Sequence, residues 1–119
     1  MKKSYDLENA KKLVPLLESI AAEIRERLAS VRELDAKATA LFEDKLETTR
    51  YLNLLAELAT HRRELRLAKK ECEGLGCVLE QGQPTRIYIP GSNGRIDSGF
   101  RWEAGDSTIR HATPESTPS

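Results

Sequence analysis

Aromatic side chains are scarce in this 119-residue chain, which has one Trp, three Tyr and two Phe. Its core must therefore be mainly aliphatic, with the single Trp102 carrying a large share of any local packing. Cysteine is scarcer still. Cys72 and Cys77 are too few for a disulfide framework. Structural zinc prefers close pairs with a second pair elsewhere, and here four residues separate the two cysteines and no second pair exists, so no metal or other cofactor is expected. Net charge is absent too: Lys plus Arg and Asp plus Glu number 19 each, so no global field draws the chain to nucleic acid or a membrane. No apolar run approaches the ~18 residues of a membrane span. The opening Met1-Lys2-Lys3-Ser4-Tyr5-Asp6 runs into charged residues, not an apolar stretch, so no signal peptide is expected. A cytoplasmic protein with reduced thiols is the expectation.

A further absence divides the chain. Between Pro15 and Gly74 there is neither Pro nor Gly, and from Gly74 onward there are seven Gly and four Pro. Residues 1–73 read as helix, and residues 74–111 as turns and short strands. High, balanced charge with few breakers is the composition of long solvated helices.

Asp6 is placed to cap the first helix, with Glu8 at the positive end of its dipole. Ala10, Val14, Leu17, Ala21, Ile24, Leu28, Val31, Ala38 and Phe42 then form a coiled-coil-like seam of period 3.5, interrupted only by Asp35. Leu13, Leu16, Ile20 and Leu34 widen it. Pro15 falls inside the pattern and predicts a kink near residues 11–15. A second seam runs Tyr51, Leu54, Leu58, His61, Leu65, Ala68, Cys72, with Leu52, Leu55 and Ala59 beside it. The two seams do not join in phase. A turn somewhere in residues 43–49 is expected, where Asp44 and Glu47 have capping-box spacing. Gly74 followed by Leu75 predicts a Schellman exit from helix two.

Four strands follow at Cys77–Gln81, Thr85–Ile89, Gly99–Glu103 and Ser107–His111. Ile87 and Ile89 share one face of their strand, as do Phe100 and Trp102. Gly82-Gln83-Pro84, Pro90-Gly91-Ser92-Asn93-Gly94 and Ala104-Gly105-Asp106 are the turns, and connections this short favour an antiparallel meander. The fold class is α+β, mostly α: a long antiparallel helical hairpin followed by a small antiparallel β-meander. Residues 1–111 read as one domain, with helix one over about 6–43, helix two over about 48–73 and the meander over about 76–111. Residues 112–119 read as a disordered tail.

The segment Tyr5-Asp6-Leu7-Glu8-x-Ala10-x-x-Leu13-Val14-Pro15-Leu16-Leu17 resembles the start of an uncharacterised bacterial family, domain of unknown function 2203. The likeness continues through two charged helices, Leu75-Gly76, Ile89-Pro90 and Trp102-x-x-Gly105-Asp106-x-x-Ile109, covering roughly residues 4–111. In that family a Trp-His pair commonly closes the last strand, and here His111 stands without the Trp. Arg101 precedes Trp102 where the family often has Cys. The resemblance implies the fold and no activity.

No serine elbow, His-Glu-x-x-His helix or glycine-rich phosphate loop is present, and no residue set covers two catalytic roles, so no enzyme is expected. His61 lies between Leu58 and Leu65 on the seam, the setting of a hydrogen-bonded core histidine. Cys72, flanked by Glu71 and Glu73 in the last turn of its helix, reads as an inert buried thiol. Helix one carries an apolar stripe wider than one partner helix covers. Val14, Leu17, Ile20, Ile24 and Leu28 are therefore the expected interface for a second copy of the chain or another helical protein. A non-enzymatic interaction module, homodimeric through its helices, is the reading. A nucleic-acid or ribosome-associated factor is the alternative, with Arg62, Arg63, Arg66, Lys69 and Lys70 on one side of helix two following a phosphate backbone. That stripe has no aromatic for base stacking, and a solvated helix face explains it as well. A third reading is a small-ligand or metal site around His111, Trp102 and Cys77.

Overall fold

The computed structural model describes residues 3–42, 48–82 and 85–112. Their elements run α1 (Leu7–Lys12), α2 (Val14–Phe42), α3 (Thr48–Gly74), β1 (Val78–Glu80), β2 (Arg86–Ile89), β3 (Phe100–Glu103) and β4 (Arg110–His111). The turn expected at 43–49, with its Asp44–Glu47 box, falls mostly on residues 43–47, outside the described residues. So do Gln83 and Pro84 of the first hairpin turn, and residues 113–119 of the expected tail.

Asp6 caps α1 as its side chain suggests, accepting from the Asn9 amide at 2.8 Å. The helix breaks at Leu13, within the window set by Pro15. The Leu13 amide turns back to Ala10 O (3.1 Å), and regular pairing resumes with Leu17 N–H to Leu13 O (2.9 Å). Pro15 thus lies in the first turn of α2, where a missing amide costs least. What reads in sequence as one helix is two.

By contact density the chain forms two compact units, Met1–Ala21 with Lys69–Ser119, and Ala22–Ala68. In the second, α2 and α3 pack against each other through Leu34, Leu54 and Leu58, with Val31 and Leu41 beside them. The seam read for helix one needs a correction here. The buried line passes through Leu34 and Ala38 to half-buried Leu41, leaving Asp35 exposed and Phe42 70 % exposed. At about 100° per residue Leu34 and Leu41 lie one position round the helix from Asp35 and Phe42, so the face that meets Leu54 and Leu58 is a neighbouring one and not the continuation of the seam. Asp35 is therefore no interruption of the packed face. The α3 seam fits better: Leu54, Leu58, Ala68 and Cys72 are buried, and Tyr51, His61 and Leu65 half-buried.

The other unit contains the antiparallel sheet, in order β1-β2-β3-β4. Leu79, Ile87 and Trp102 lie in one cross-strand row, and Ile89, Phe100 and His111 in another on the same face. Ile87, Ile89 and Trp102 are fully buried, as are Leu17, Pro90 and Cys72 of the same unit. The opposite face is wet: Arg86 bonds Glu103 (3.0 Å), and Tyr88 donates to Glu80 (3.0 Å). The β4 strand is shorter than expected, two residues in place of five, and Ile109 just before it is buried. The loop joining β2 to β3 is longer than its five-residue turn signal, running from Pro90 to Gly99.

The exit from α3 is displaced by two residues. Gly74 is the last helical residue, and Gly76 takes the left-handed conformation at φ +80°. The Gly76 amide donates to Glu73 O (2.8 Å) and the Cys77 amide to Cys72 O (3.3 Å). These are the two bonds of a Schellman motif with Gly76 at C′, Cys72 at C3 and Cys77 at C″.

Candidate functional site

The five residues expected to meet a partner are mostly inside the chain. Val14 is 8 % exposed, Leu17 0 %, Ile20 2 % and Ile24 1 %, while Leu28 is half-buried. Their stripe is wide because the chain's own packing uses it, so these residues are not the surface a partner would touch.

Exposed apolar surface lies elsewhere, on α3. Leu52 and Leu55 are exposed, and Ala56 and Ala59 share their side of the helix at spacings of three and four. Phe42 belongs to the same region. Its ring meets that of Tyr51 at 5.9 Å between centroids, and both line a groove of about 180 Å³ with Asp35, Ala38, Thr39 and Leu55. Leu52, Leu55 and Ala59 flank the seam in the sequence at i, i+3 and i+7. That second periodic stripe on α3 was the available signal.

Of the basic residues on α3, Arg62, Arg63, Arg66 and Lys70 are exposed and Lys69 is half-buried. Arg62 stands 3.7 Å from Asp35, an exposed pair of small energetic weight. The Arg62→Ala, Arg66→Ala double variant should change unfolding free energy by less than about 1 kcal/mol in a denaturant titration. A steep salt-dependent affinity of the wild type for RNA, lost in that variant, would replace this view with the nucleic-acid reading.

Beside that stripe is a polar cluster. Arg27 Nε donates to Glu23 at 2.8 Å, and its Nη1 lies 2.9 Å from His61 Nδ1. A guanidinium can only donate, so Nδ1 is the unprotonated acceptor and a neutral His61 carries its proton on Nε2. The bond to Glu23 raises the Arg27 pKa against an opposing effect of burial, and Glu64 and Glu26 add to the rise. His61 is thus half-buried and hydrogen-bonded.

The three residues of the ligand-site reading are placed differently from one another. Trp102 is fully buried, its Nε1–H donating to Asp106 O at 2.9 Å. Its one polar atom is spent inside the fold. His111 is exposed, with its ring 5.8 Å from that of Phe100. Cys77 is buried beside Cys72, and both thiols are free. Burial pushes the Cys72 thiol up to about 11, helped by Glu73 and Glu71. Burial pushes Cys77 up to about 12, with Cys72 adding to it. Tyr5 completes this corner, its hydroxyl donating to Leu75 O at 2.8 Å, and its own pKa is raised by burial and by Cys77. A groove of about 350 Å³ opens over Cys77, lined also by Lys69, Glu73, Val78, Leu79 and Gln81.

Among the described residues no group of three or more His, Cys, Asp or Glu side chains is placed to hold a metal ion, and no helix is long and apolar enough to cross a membrane. Nothing among curated proteins and nothing among solved structures matches the chain. A family model does match, over residues 3–116: that of the uncharacterized conserved protein family DUF2203. The match spans nearly the whole sequence and includes every motif that carries the resemblance, and the chain belongs to the DUF2203 family.

Proposed function

We propose that this protein is a non-enzymatic interaction module that self-associates through the exposed apolar face of α3. One observation carries the reading. On α3 Leu52 is 57 % exposed and Leu55 37 %, with Ala56 and Ala59 beside them, and Phe42 at the end of α2, 70 % exposed, shares a groove with Leu55. Exposed large apolar side chains gathered in one patch mark an interaction surface more often than a bare monomer surface. The occupant is a second copy of the chain. A mainly apolar face, edged by Asp35 in the groove and by Arg63 one turn beyond Ala59, is able to pair with itself about a two-fold axis, and two helical pairs joined in this way make a four-helix arrangement. Ala56 and Ala59 allow the partner helix to approach closely.

The test is the double variant Leu52→Glu, Leu55→Glu, followed by light scattering. Both positions are exposed, so the folded chain should tolerate the charges and the helical circular dichroism should persist. The mass should fall from that of a dimer to that of the 13.4 kDa chain. A variant of unchanged oligomeric mass would remove α3 as the interface. Ile24→Asp is unsuited to the purpose. At 1 % exposure its carboxylate would be buried without a partner and would unfold the chain first.

A further inference from the structure

The two cysteines of this chain end up side by side for a reason that lies in the helix cap. In a Schellman motif the residues at C3 and C″ pack against each other, which is why that pair is ordinarily apolar. Here the pair is Cys72 and Cys77. The Cys77 amide donates to Cys72 O at 3.3 Å. Bond lengths alone cap the separation of the two Cα atoms at about 7.5 Å, and the bent angles at the carbonyl and the amide bring it under about 7 Å. That is the range a disulfide spans. Cys72 is 0 % exposed and Cys77 3 %, both are free thiols, and of the two only Cys77 is among the residues that line the 350 Å³ groove.

We propose that Cys72 and Cys77 are a two-electron redox site, closing to a reversible disulfide across the cap of α3 by exchange with a low-molecular-weight disulfide that enters over Cys77. Cys77 loses its proton to solvent, and its thiolate attacks one sulfur of the incoming disulfide. A mixed disulfide forms and one small thiolate leaves. Cys72 then loses its proton, and its thiolate attacks Cys77 Sγ, displacing the second small thiolate. Both departing thiolates take up a proton. In sum, two protein thiols are oxidised to one disulfide while one small disulfide is reduced to two thiols. Lys69 and Glu73 both line the groove, and of the two charges that of Lys69 favours a departing thiolate. The bond would tie the last turn of α3 to the residue just before β1.

The groups facing the pair, Tyr5, Glu71, Glu73 and Lys69, leave burial as the dominant influence on both thiols, and the raised pKa values make closure slow at neutral pH. Its rate should climb about tenfold per pH unit while both thiols are mostly protonated.

Glutathione redox buffers supply the test, with the full chain either native or unfolded in urea, and intact mass as the readout. Closure lowers the mass by about 2 Da. At equal buffer ratio the native chain should show a ratio of closed to open form at least about tenfold above that of the unfolded chain, because the cap holds the sulfurs together. Cys72→Ser should stop at a single glutathione adduct on Cys77. A native ratio equal to or below the unfolded one, or a wild type that accumulates the adduct as Cys72→Ser does, would overturn the proposal.

Discussion

Trp102→Ala should unfold the sheet-bearing unit. Trp102 is fully buried at the centre of the β2–β3 pairing, opposite Ile87, and its indole N–H satisfies the Asp106 carbonyl. Removing the ring leaves a cavity the size of an indole and strands that carbonyl at the β3–β4 turn. Truncations of this kind cost about 3–5 kcal/mol, a large part of the ~5–15 kcal/mol that holds a domain together. Fluorescence and circular dichroism read the effect together. In the wild type this single Trp should emit at short wavelength and resist iodide. In the variant the sheet signal should vanish while part of the helical signal remains, because Leu34, Leu54 and Leu58 form their own cluster within residues 22–68. A red-shifted, freely quenched Trp102 in the wild type would contradict the burial on which the expectation rests.

Gly99→Ala should be comparably damaging through backbone contact alone. A Cβ at Gly99 would overlap the Ile89 carbonyl oxygen and come within 2.7 Å of the Gly91 nitrogen. Both neighbours are main chain, at the point where the 90–99 loop closes on itself. The Gly91 amide donates to Arg95 O (2.9 Å) and Gly99 to Ile96 O (3.0 Å), while the Ala112 amide donates to Gly99 O (3.1 Å). No side chain can swing aside to make room, so relief requires breaking the β2–β3 ladder or the loop. A destabilisation of at least about 3 kcal/mol is expected by denaturant titration. Gly105→Ala provides the contrast. Its Cβ would meet nothing within 4 Å, and only the φ of +98° penalises it, so it should cost less. Equal tolerance of both substitutions would mean that the loop closure is not as tight as described.

The elements of this fold were legible where side-chain chemistry is local. Asp6 announces a cap, and the alternation of Ile87 with Ile89 and of Phe100 with Trp102 announces which sheet face is apolar. The break from helix to strand follows from where Gly and Pro begin. The displaced features depend on geometry that spacing alone does not settle. Gly74 and Gly76 are both fit to end α3, and only the hydrogen bonds of Gly76 and Cys77 choose the second. That choice turns two unrelated-looking cysteines into neighbours. The helix-one seam failed because α2 turns a neighbouring face to α3 from Leu34 onward, about 100° round from Asp35 and Phe42, and a fixed repeat carried along the sequence does not show such a change of face. The expected interface failed through its reference point. A stripe wider than one partner helix needs looks unsatisfied in sequence, yet Leu17, Ile20 and Ile24 are covered within the chain. The surface left open, Leu52 with Leu55, was in view as the flank of the other seam.

Self-association through α3 is the central claim, and the mass of the wild-type chain in solution tests it most directly. Light scattering across a micromolar concentration series should approach about twice the 13.4 kDa chain mass, with any fall confined to the dilute end. A mass that stays at 13.4 kDa to the highest concentration reached would contradict it.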